Sequence, residues 1–406
     1  MTQKQQLSGS VTTEDQLRLK QLELNSLLEV TQAINANLPE ESLYKIFHFT
    51  LISNLQIKKL ALYAYDEGWS CKVNYGTQTD FKTTPITENI IEVKKIGEMP
   101  QDCFPFNEFD YILPIAHKNQ PLAFVLAGGM DDKLPDFSFI QTFTSIIIVA
   151  VENKKLARKE LKQEALRKEL EIARDVQAML FPKQLPQTTN IKINASYFPH
   201  FTIGGDYYDY VAVNEKEHLI CIADVSGKGI PAAILMSNFQ ASLRALARHT
   251  LDLKQIVNEL NYLTKANSKG ERFITFFVGI YNSENKSLKY INAGHNPPVI
   301  IDEDGQAVFL EKGTTVIGVF DELPFIEEDQ ITINSKSILF LYTDGLTETS
   351  NIEGEEFGAE RLREFLVSHL NSDLNDIHTQ LVNDLNNFRG NKPFPDDITF
   401  VSCLIS

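Results

Sequence analysis

Apolar residues recur at helical spacing in two neighbouring stretches near the start of the chain, Glu14 to Leu38 and Glu41 to Leu55. Pro39 closes the first stretch, because proline cannot continue a helix. The order of helix, mixed antiparallel sheet and helix then predicts an α+β module over residues 14–152. A polar tail, residues 1–13, precedes it. The predicted strands are Lys59–Tyr65, Ser70–Tyr75, Asp110–His117 and Leu122–Gly128, and the closing helix is Phe137–Glu152.

Residues 153–182 carry the clearest helical pattern, since no glycine or proline precedes Pro182 and the charges alternate in sign. The apolar side chains fall along one broad face, which predicts a connector helix with a seam for pairing. Lys159, Gln163 and Gln177 occupy would-be core positions, so the seam is marginal or changes state. We expect a homodimer through the N-terminal and connector helices, with a solvated linker helix as the alternative. The seam comprises Leu156, Leu161, Ala165, Leu166, Leu170, Ala173, Val176 and Leu180.

From Ile191 onward the pattern changes to short alternating or wholly apolar runs, interrupted by helical stretches. Many strands with helices in pairs predict two stacked sheets flanked by helices over residues 183–406. The predicted strands are Ile191–Phe198, Tyr207–Val213, Leu219–Asp224, Phe273–Tyr281, Leu288–Asn292, Val299–Ile301, Ala307–Leu310, Ile331–Ile333, Ile338–Tyr342 and Ile398–Leu404. The predicted helices are Ala232–His249, Leu253–Asn267, Ala359–His369 and Leu374–Phe388.

Composition narrows the classes of protein that fit this pattern. An apolar content of 43% is typical of globular proteins, and a net charge of −16 argues against nucleic acid as a partner. The four cysteines lack metal-binding spacing and suit a reducing compartment. The first residues lack a signal-peptide core, and the apolar run Phe139–Val151 is too short to span a bilayer. We therefore expect a cytoplasmic protein without membrane insertion.

The stretch that organises the second half of the chain begins with the apolar run Leu219–Ala223, which is typical of a buried strand. Asp224 stands where the run stops. Gly227 and Gly229 permit a tight turn, and Pro231 suits the first turn of the next helix. A carboxylate held at a strand end beside exposed carbonyls is a good anchor for a hard cation. A helix-capping aspartate in an ordinary turn is the alternative.

Other aspartates occupy the same kind of position. Asp206 follows two glycines at the mouth of a strand, Asp344 ends a buried strand before Gly345, and Asp396 and Asp397 lead into the last strand. If these strand ends meet, their charges repel one another unless cations lie between them. Ligation by oxygen alone selects Mg²⁺ or Mn²⁺, and two such ions can activate water against a phosphate ester. The residues therefore indicate a two-metal hydrolase.

The same stretches form an ordered set of motifs: GGDYYDY, IADVSGKGIPAA, FITFFVGIY, YINAGHNPP, LFLYTDGLTE and DDITFV. With the leading segment LEIARDVQAMLFPKQLP, they make residues 170–406 resemble the SpoIIE/RsbU branch of the PPM protein serine/threonine phosphatases. The resemblance implies an αββα sandwich with two Mn²⁺ or Mg²⁺ ions between the sheets. It also implies hydrolysis of phosphoserine or phosphothreonine in a protein substrate.

The resemblance assigns roles residue by residue. Asp224 and Asp206 are the implied catalytic residues: Asp224 would bridge both ions, and Asp206 and the Val225 carbonyl would complete one site. Asp344 and Asp396 would hold the other ion, with Asp397 as the alternative to Asp396. Asp209 would support strand or substrate contacts.

The general acid is open in this chain. Eukaryotic-type relatives place a histidine two residues after the bridging aspartate, where this chain has Ser226, so the general acid is unassigned and water is one candidate. His295 is a candidate acid, with a loop-structuring role as the alternative. Possible supporting residues are Gly205, Ser226, Gly227, Gly345 and His295.

The N-terminal module is similar to a GAF sensor domain in length and in the order of its elements, and a small-molecule ligand is possible there. The family resemblance implies a phosphorylated STAS-type anti-sigma antagonist, or a similar phosphoprotein, as the substrate. The main alternative is an inactive pseudophosphatase that binds a phosphoprotein as a scaffold. A diguanylate cyclase would not need the later aspartate motifs, and a P-loop would need Ser or Thr where Gly229 follows Lys228.

Overall fold

The structure is a computed structural model that describes residues 13–101, 103–117, 120–129 and 136–406. The chain divides into two compact units, with the boundary between Glu164 and Ala165. Apart from Thr13, the predicted polar tail lies outside the described residues. None of the helices in the described ranges combines the length and the apolar character needed to cross a bilayer.

The first unit contains a five-stranded sheet with the strand order β2-β1-β5-β4-β3. Successive side chains of a strand point to opposite faces, so Leu62 packs under the helices while Tyr63 packs in a second cluster on the other face. The elements are α1 (Thr13–Asn35), α2 (Glu40–Leu55), β1 (Lys59–Tyr65), β2 (Trp69–Tyr75), α3 (Glu88–Ile91), β3 (Gly97–Glu98), β4 (Tyr111–His117), β5 (Gln120–Gly128) and α4 (Phe137–Ala178).

Helix α4 is continuous over 42 residues. The sequence pattern treated Phe137–Glu152 as a closing helix and residues 153–182 as a separate connector, but the two form one helix. No glycine or proline interrupts the chain between Phe137 and Ala178, so nothing in the backbone requires a break.

The second unit contains two sheets. In one, the strand order is β13-β10-β9-β8-β7 with β14 also paired to β10, and in the other it is β12-β11-β15-β16-β6. The strands are β6 (Ile191–Phe198), β7 (Tyr207–Ala212), β8 (Glu217–Val225), β9 (Ile274–Asn282), β10 (Ser287–Ala293), β11 (Val299–Asp302), β12 (Ala307–Phe309), β13 (Gly313–Thr314), β14 (Asp329–Thr332), β15 (Ser337–Tyr342) and β16 (Ile398–Ile405). The helices are α5 (Ile230–Leu246), α6 (Leu253–Ser268), α7 (Asp344–Thr347), α8 (Gly358–Ser368) and α9 (Leu374–Arg389).

Three apolar layers hold this unit together. Residues such as Ile222 and Leu341 pack between the two sheets. Helices α5 and α6 cover the outer face of the first sheet, and α8 and α9 cover the outer face of the second. The predicted αββα sandwich is confirmed, and the alternation along β8 aims the Asp224 side chain toward the space between the sheets.

Candidate active site

Aspartates from both sheets meet at one end of the sandwich. Asp206 precedes β7 and Asp224 lies near the end of β8 in the first sheet, while Asp344 follows β15 and the Asp396-Asp397 pair precedes β16 in the second. The tightest link is at Asp206, whose Oδ2 accepts hydrogen bonds from the hydroxyls of Thr343, at 2.9 Å, and Thr399, at 2.5 Å. Thr343 directly follows β15 and Thr399 lies in β16, so both belong to the second sheet. These hydrogen bonds therefore join the two sheets at the site.

Asp206 is almost fully buried, with 1% of its surface exposed. Burial raises the pKa of its carboxyl well above the ordinary value, and the charges of Asp224 and Asp397 raise it further. The two threonine hydroxyls lower the pKa but do not offset these effects. The chain thus holds a carboxylate where its charged form is disfavoured, and a cation would relieve that cost.

The charged form of Asp224 is also disfavoured by its surroundings. Burial first, and then the charges of Asp344, Asp396 and Asp397, raise the pKa of Asp224 to about 7. Burial and the charge of Asp396 raise the pKa of Asp344 as well. The carboxylates that the sequence placed on four separate strand ends are therefore close enough to oppose one another's ionisation.

The two neighbouring aspartates before β16 differ in their contacts. Both carboxylate oxygens of Asp397 accept backbone N–H bonds, from His200 and Gly205, each at 2.7 Å. Asp396 lies at the rim, where Lys228 Nζ approaches its Oδ2 at 2.8 Å. Since Asp397 is already committed to the loop that carries Asp206, this geometry favours Asp396 as the ligand and Asp397 as the anchor of the loop.

The site glycines allow backbones to approach closely. A Cβ on Gly205 would lie 2.9 Å from the Val225 carbonyl oxygen, and one on Gly345 would lie 2.0 Å from the Asp397 carbonyl oxygen. Gly227 has a φ of +93°, which favours glycine, and the Arg272 guanidinium donates to the adjacent Ser226 carbonyl at 2.8 Å. These positions fix the backbone rather than supply chemistry.

His295, the candidate for proton transfer, and Ser226, a possible supporting residue, both form hydrogen bonds within the fold. The Ser226 hydroxyl accepts the Phe273 N–H at 2.9 Å. The His295 ring is buried, its Nδ1 lies 2.8 Å from the Thr275 hydroxyl, and burial lowers its pKa to about 4. A histidine that is neutral at pH 7 is a weak proton donor for a leaving group. Bonds between the Asn292 side chain and the His295 backbone fit the loop-structuring alternative.

Asp209 points away from this site. Its carboxylate accepts two hydrogen bonds from the Arg244 guanidinium on α5, at 2.7 and 2.9 Å, and one from the Tyr207 hydroxyl. Its side chain therefore contributes to the packing of α5 on the sheet. Sequence reasoning did not find Arg244, Thr343 or Thr399. Strand alternation would have separated Asp206 from Asp209, because residues three apart along a strand lie on opposite faces.

The donor set fits a hard cation, because it consists of carboxylate and carbonyl oxygens. In the described part of the chain, no group of three or more histidine, cysteine, aspartate or glutamate side chains is drawn together closely enough to hold an ion. The side chains turn instead to internal partners: Asp206 to the threonines and Asp396 to Lys228.

A sandwich of two sheets covered by helix pairs, with acidic strand ends at one edge, is the fold of the PP2C-type phosphatases. The SiaA-PP2C domain of Pseudomonas aeruginosa is similar in structure, with a TM-score of 0.52 at 19% sequence identity over 60% of this chain and 99% of that domain. Residues 214–404 match the family model of Stage II sporulation protein E (SpoIIE). The match falls within residues 170–406, the stretch for which the motifs predicted this resemblance.

Two curated relatives are similar to this chain in sequence. Phosphoserine phosphatase RsbU of Bacillus subtilis is 32% identical over 194 residues, which are 47% of this chain and 57% of RsbU. Protein IcfG of Synechocystis is 29% identical over 288 residues, 64% of this chain and 45% of IcfG. The chain thus spans about half the length of the curated relatives it matches.

Proposed function

We propose that this chain is a metal-dependent protein phosphatase that hydrolyses phosphoserine or phosphothreonine. The observation that carries the proposal is the convergence of carboxylates from both sheets at one end of the sandwich. Burial, and then the charges of these neighbours, raise the pKa of Asp224 to about 7. Such a cluster disfavours its own charge, and divalent cations are the partners that its oxygen donors select. The similarity to a phosphoserine phosphatase supports the same reaction class.

Two Mn²⁺ or Mg²⁺ ions would be held by the residues that the motifs assign. Asp224 would serve both ions, Asp206 and the Val225 carbonyl one of them, and Asp344 with Asp396 the other. When bound, such ions lower the pKa of a water molecule and neutralise the charge of a phosphoryl group.

Residues of the chain itself hold the loop that carries Asp206 in position. The two backbone N–H bonds to Asp397 tie the loop before Asp206 to the start of β16. Burial lowers the pKa of His295 to about 4, so its ring is a poor proton donor at pH 7. Water is therefore the proposed proton donor to the leaving serine or threonine oxygen.

The test is turnover of an aryl phosphate and a phosphoserine peptide by the full chain while Mn²⁺ is titrated from zero. We expect metal-dependent turnover in the wild type and in the exposed control Asp304→Asn, and its loss in Asp224→Asn. A folded wild-type chain without turnover at any Mn²⁺ concentration would refute the enzyme and favour a scaffold that sequesters a phosphoprotein.

We further propose a phosphorylated STAS-type anti-sigma antagonist as the substrate, on the strength of the motif resemblance. The expected signature is a kcat/KM for such a phosphoprotein that far exceeds that for the short peptide. Equal values for both substrates would contradict a dedicated protein partner. A cytoplasmic location belongs to this proposal, and the four free cysteines suit it.

We also propose that a second copy of the chain pairs along α1 and α4. Large apolar side chains remain exposed on both helices, which supports a partner there. A ligand of the GAF-like unit would act by reorienting the connector. Sedimentation of the wild-type chain should show a dimer, and a monomer would exclude pairing along α1 and α4. The double variant Lys159→Leu/Gln163→Leu should change the phosphatase activity, and unchanged activity would exclude control through the connector. The exposed residues include Leu17, Leu24, Leu28, Leu156, Leu161, Leu166, Ile172 and Val176.

A further inference from the structure

Gln177 is a polar side chain at a position where the heptad pattern calls for an apolar one. It lies in the last turn of α4 and is buried, with 6% of its surface exposed. Its carboxamide bonds the backbone of one residue in both directions: Nε2 donates to the Gly204 carbonyl at 2.7 Å, and the Gly204 N–H donates to Oε1 at 3.4 Å. The buried Gln177 amide therefore fixes the Gly204 backbone and does not pack in the apolar seam of the connector helix.

Gly204 is held tightly on its other side too. A Cβ at this residue would lie 2.1 Å from the Tyr197 hydroxyl oxygen and 2.2 Å from Asp397 Oδ2. The next amide, that of Gly205, donates to the same Asp397 oxygen at 2.7 Å. The Gly204-Gly205 backbone is therefore gripped between Gln177 and Asp397, and the residue that follows is Asp206.

The end of α4 is itself fixed against the sandwich. The Phe181 ring packs on Tyr197 and Tyr208, with ring centroids 5.0 Å apart in both pairs. Gln240 of α5 donates to the Leu180 carbonyl at 3.2 Å. These contacts fix the residues that directly follow α4. They therefore also fix the position of Gln177 relative to Gly204.

We propose that Gln177 is a positioning residue that sets the place of Asp206 for metal binding. The proposal rests on the proposed function, since it takes Asp206 as a ligand. Without the amide clamp, the Gly204-Gly205 turn relaxes away from β8, and the ion assigned to Asp206, Asp224 and the Val225 carbonyl is bound more weakly. The ion assigned to Asp344 and Asp396 does not depend on this turn.

The test measures Mn²⁺ binding to the full, metal-free chain by titration calorimetry, with the spectrum of free Mn²⁺ by electron paramagnetic resonance as a check. Gln177→Met keeps the length of the side chain and removes both hydrogen bonds. Gln177→Glu keeps an acceptor for the Gly204 N–H and loses the 2.7 Å donor bond. Gln380→Met makes the first change at an exposed glutamine of α9.

We expect both Gln177 variants to weaken one class of Mn²⁺ site about 10-fold or more, as loss of a group that orients a ligand commonly does. The other class of site and the Gln380→Met control should bind as the wild type does. Hydrogen–deuterium exchange should rise in the peptide covering residues 199–206, which a merely global loss of stability would not single out. Turnover should recover at high Mn²⁺ concentration.

Wild-type Mn²⁺ affinity and unchanged exchange at residues 199–206 in both Gln177 variants would overturn the proposal. So would a wild-type chain that binds no Mn²⁺. A wild-type chain that binds Mn²⁺ but hydrolyses no phosphoester would refute the proposed function, while the comparison of binding constants would still decide the role of Gln177. If Gln177→Met lowers the stability of the whole unit, the Gln177→Glu binding constant decides the outcome.

Discussion

Two aspartates three residues apart, Asp206 and Asp209, are both nearly fully buried, with 1% and 2% of their surfaces exposed. Asp209 faces α5, where the Arg244 guanidinium neutralises it with two hydrogen bonds. Asp206 faces the space between the sheets, where its neighbours are two threonine hydroxyls and the like charges of Asp224 and Asp397. A buried carboxylate that the protein neutralises is structural. One left among other carboxylates marks the place for a cation from outside.

The largest expected effect is the loss of activity on substitution of Asp206, the aspartate whose charge no cationic side chain among the described residues neutralises. Asp206→Asn removes a ligand, so Mn²⁺-dependent turnover should fall at least ~100-fold, beyond what loss of an orienting group costs. The metal-free chain should be as stable as the wild type or more so, because a neutral amide costs less to bury among carboxylates. Turnover assays and urea unfolding in a chelator measure both quantities. A parallel loss of activity and stability would break the contrast with Asp209.

At Asp209 the expected effect is on stability. Arg244→Met leaves a buried carboxylate without its cation, so the free energy of unfolding should fall by about 3 kcal/mol. The partial exposure of the Arg244 side chain, 41%, keeps this figure toward the low end for a buried pair. The Mn²⁺ dependence of turnover should be unchanged in the folded variant.

Arg363→Met is the matched control for this prediction, because Arg363 pairs with Glu360 on the surface of α8. Such surface pairs contribute little, so no measurable change in unfolding is expected. Equal losses of stability in the Arg244 and Arg363 variants would show that the Asp209 pair has no special role.

The pH dependence of the metal-free chain sharpens the same comparison. Asp224 has a pKa of about 7 in the fold against an ordinary value of 3.8. Between these values the folded chain holds a proton that the unfolded chain has lost, so stability falls as pH rises through this window. Asp224→Asn removes this dependence. Its advantage over the wild type should grow from pH 5 to pH 8 by roughly 1–3 kcal/mol, after a discount from 1.36 kcal/mol per pKa unit for partial exposure.

Urea unfolding at several pH values in a chelator checks this prediction. Buried histidines such as His295 and His378, whose pKa values burial lowers to about 4, titrate in the same window. Their contributions cancel in the difference between wild type and variant. A difference that stays flat from pH 5 to pH 8 would mean that Asp224 is not held under charge repulsion.

The smallest effect concerns the one ion pair described at the rim of the site. Lys228 Nζ lies 2.8 Å from Asp396 Oδ2, and both side chains are partly exposed. Because the ammonium competes with an ion for Asp396, Lys228→Met should tighten Mn²⁺ binding by about 2- to 5-fold, in line with the modest strength of exposed pairs. Lys216→Met, at the exposed pair with Glu284, should leave the affinity unchanged. Weaker binding in Lys228→Met would indicate that the lysine supports the site.

Much of the fold followed from local pattern. The period of apolar positions predicted β6 at its observed bounds, Ile191–Phe198, and α6 within one residue at its end. The aspartates at strand ends were also visible, because a buried apolar run that stops at a carboxylate is a local feature. The continuity of α4 was missed, although the absence of glycine and proline already pointed to it.

The sequence by itself determined where most of the longer strands and helices lie and which residues carry the candidate chemistry, because periodicity and side-chain type act over a few residues. Only the tertiary structure decided which buried carboxylate is neutralised from within and which is not. Arg244 reaches Asp209 from 35 residues away, and Asp397 reaches Gly205 from 192 residues away. Such contacts depend on how helices and sheets pack against one another, and no local pattern in the chain records that packing.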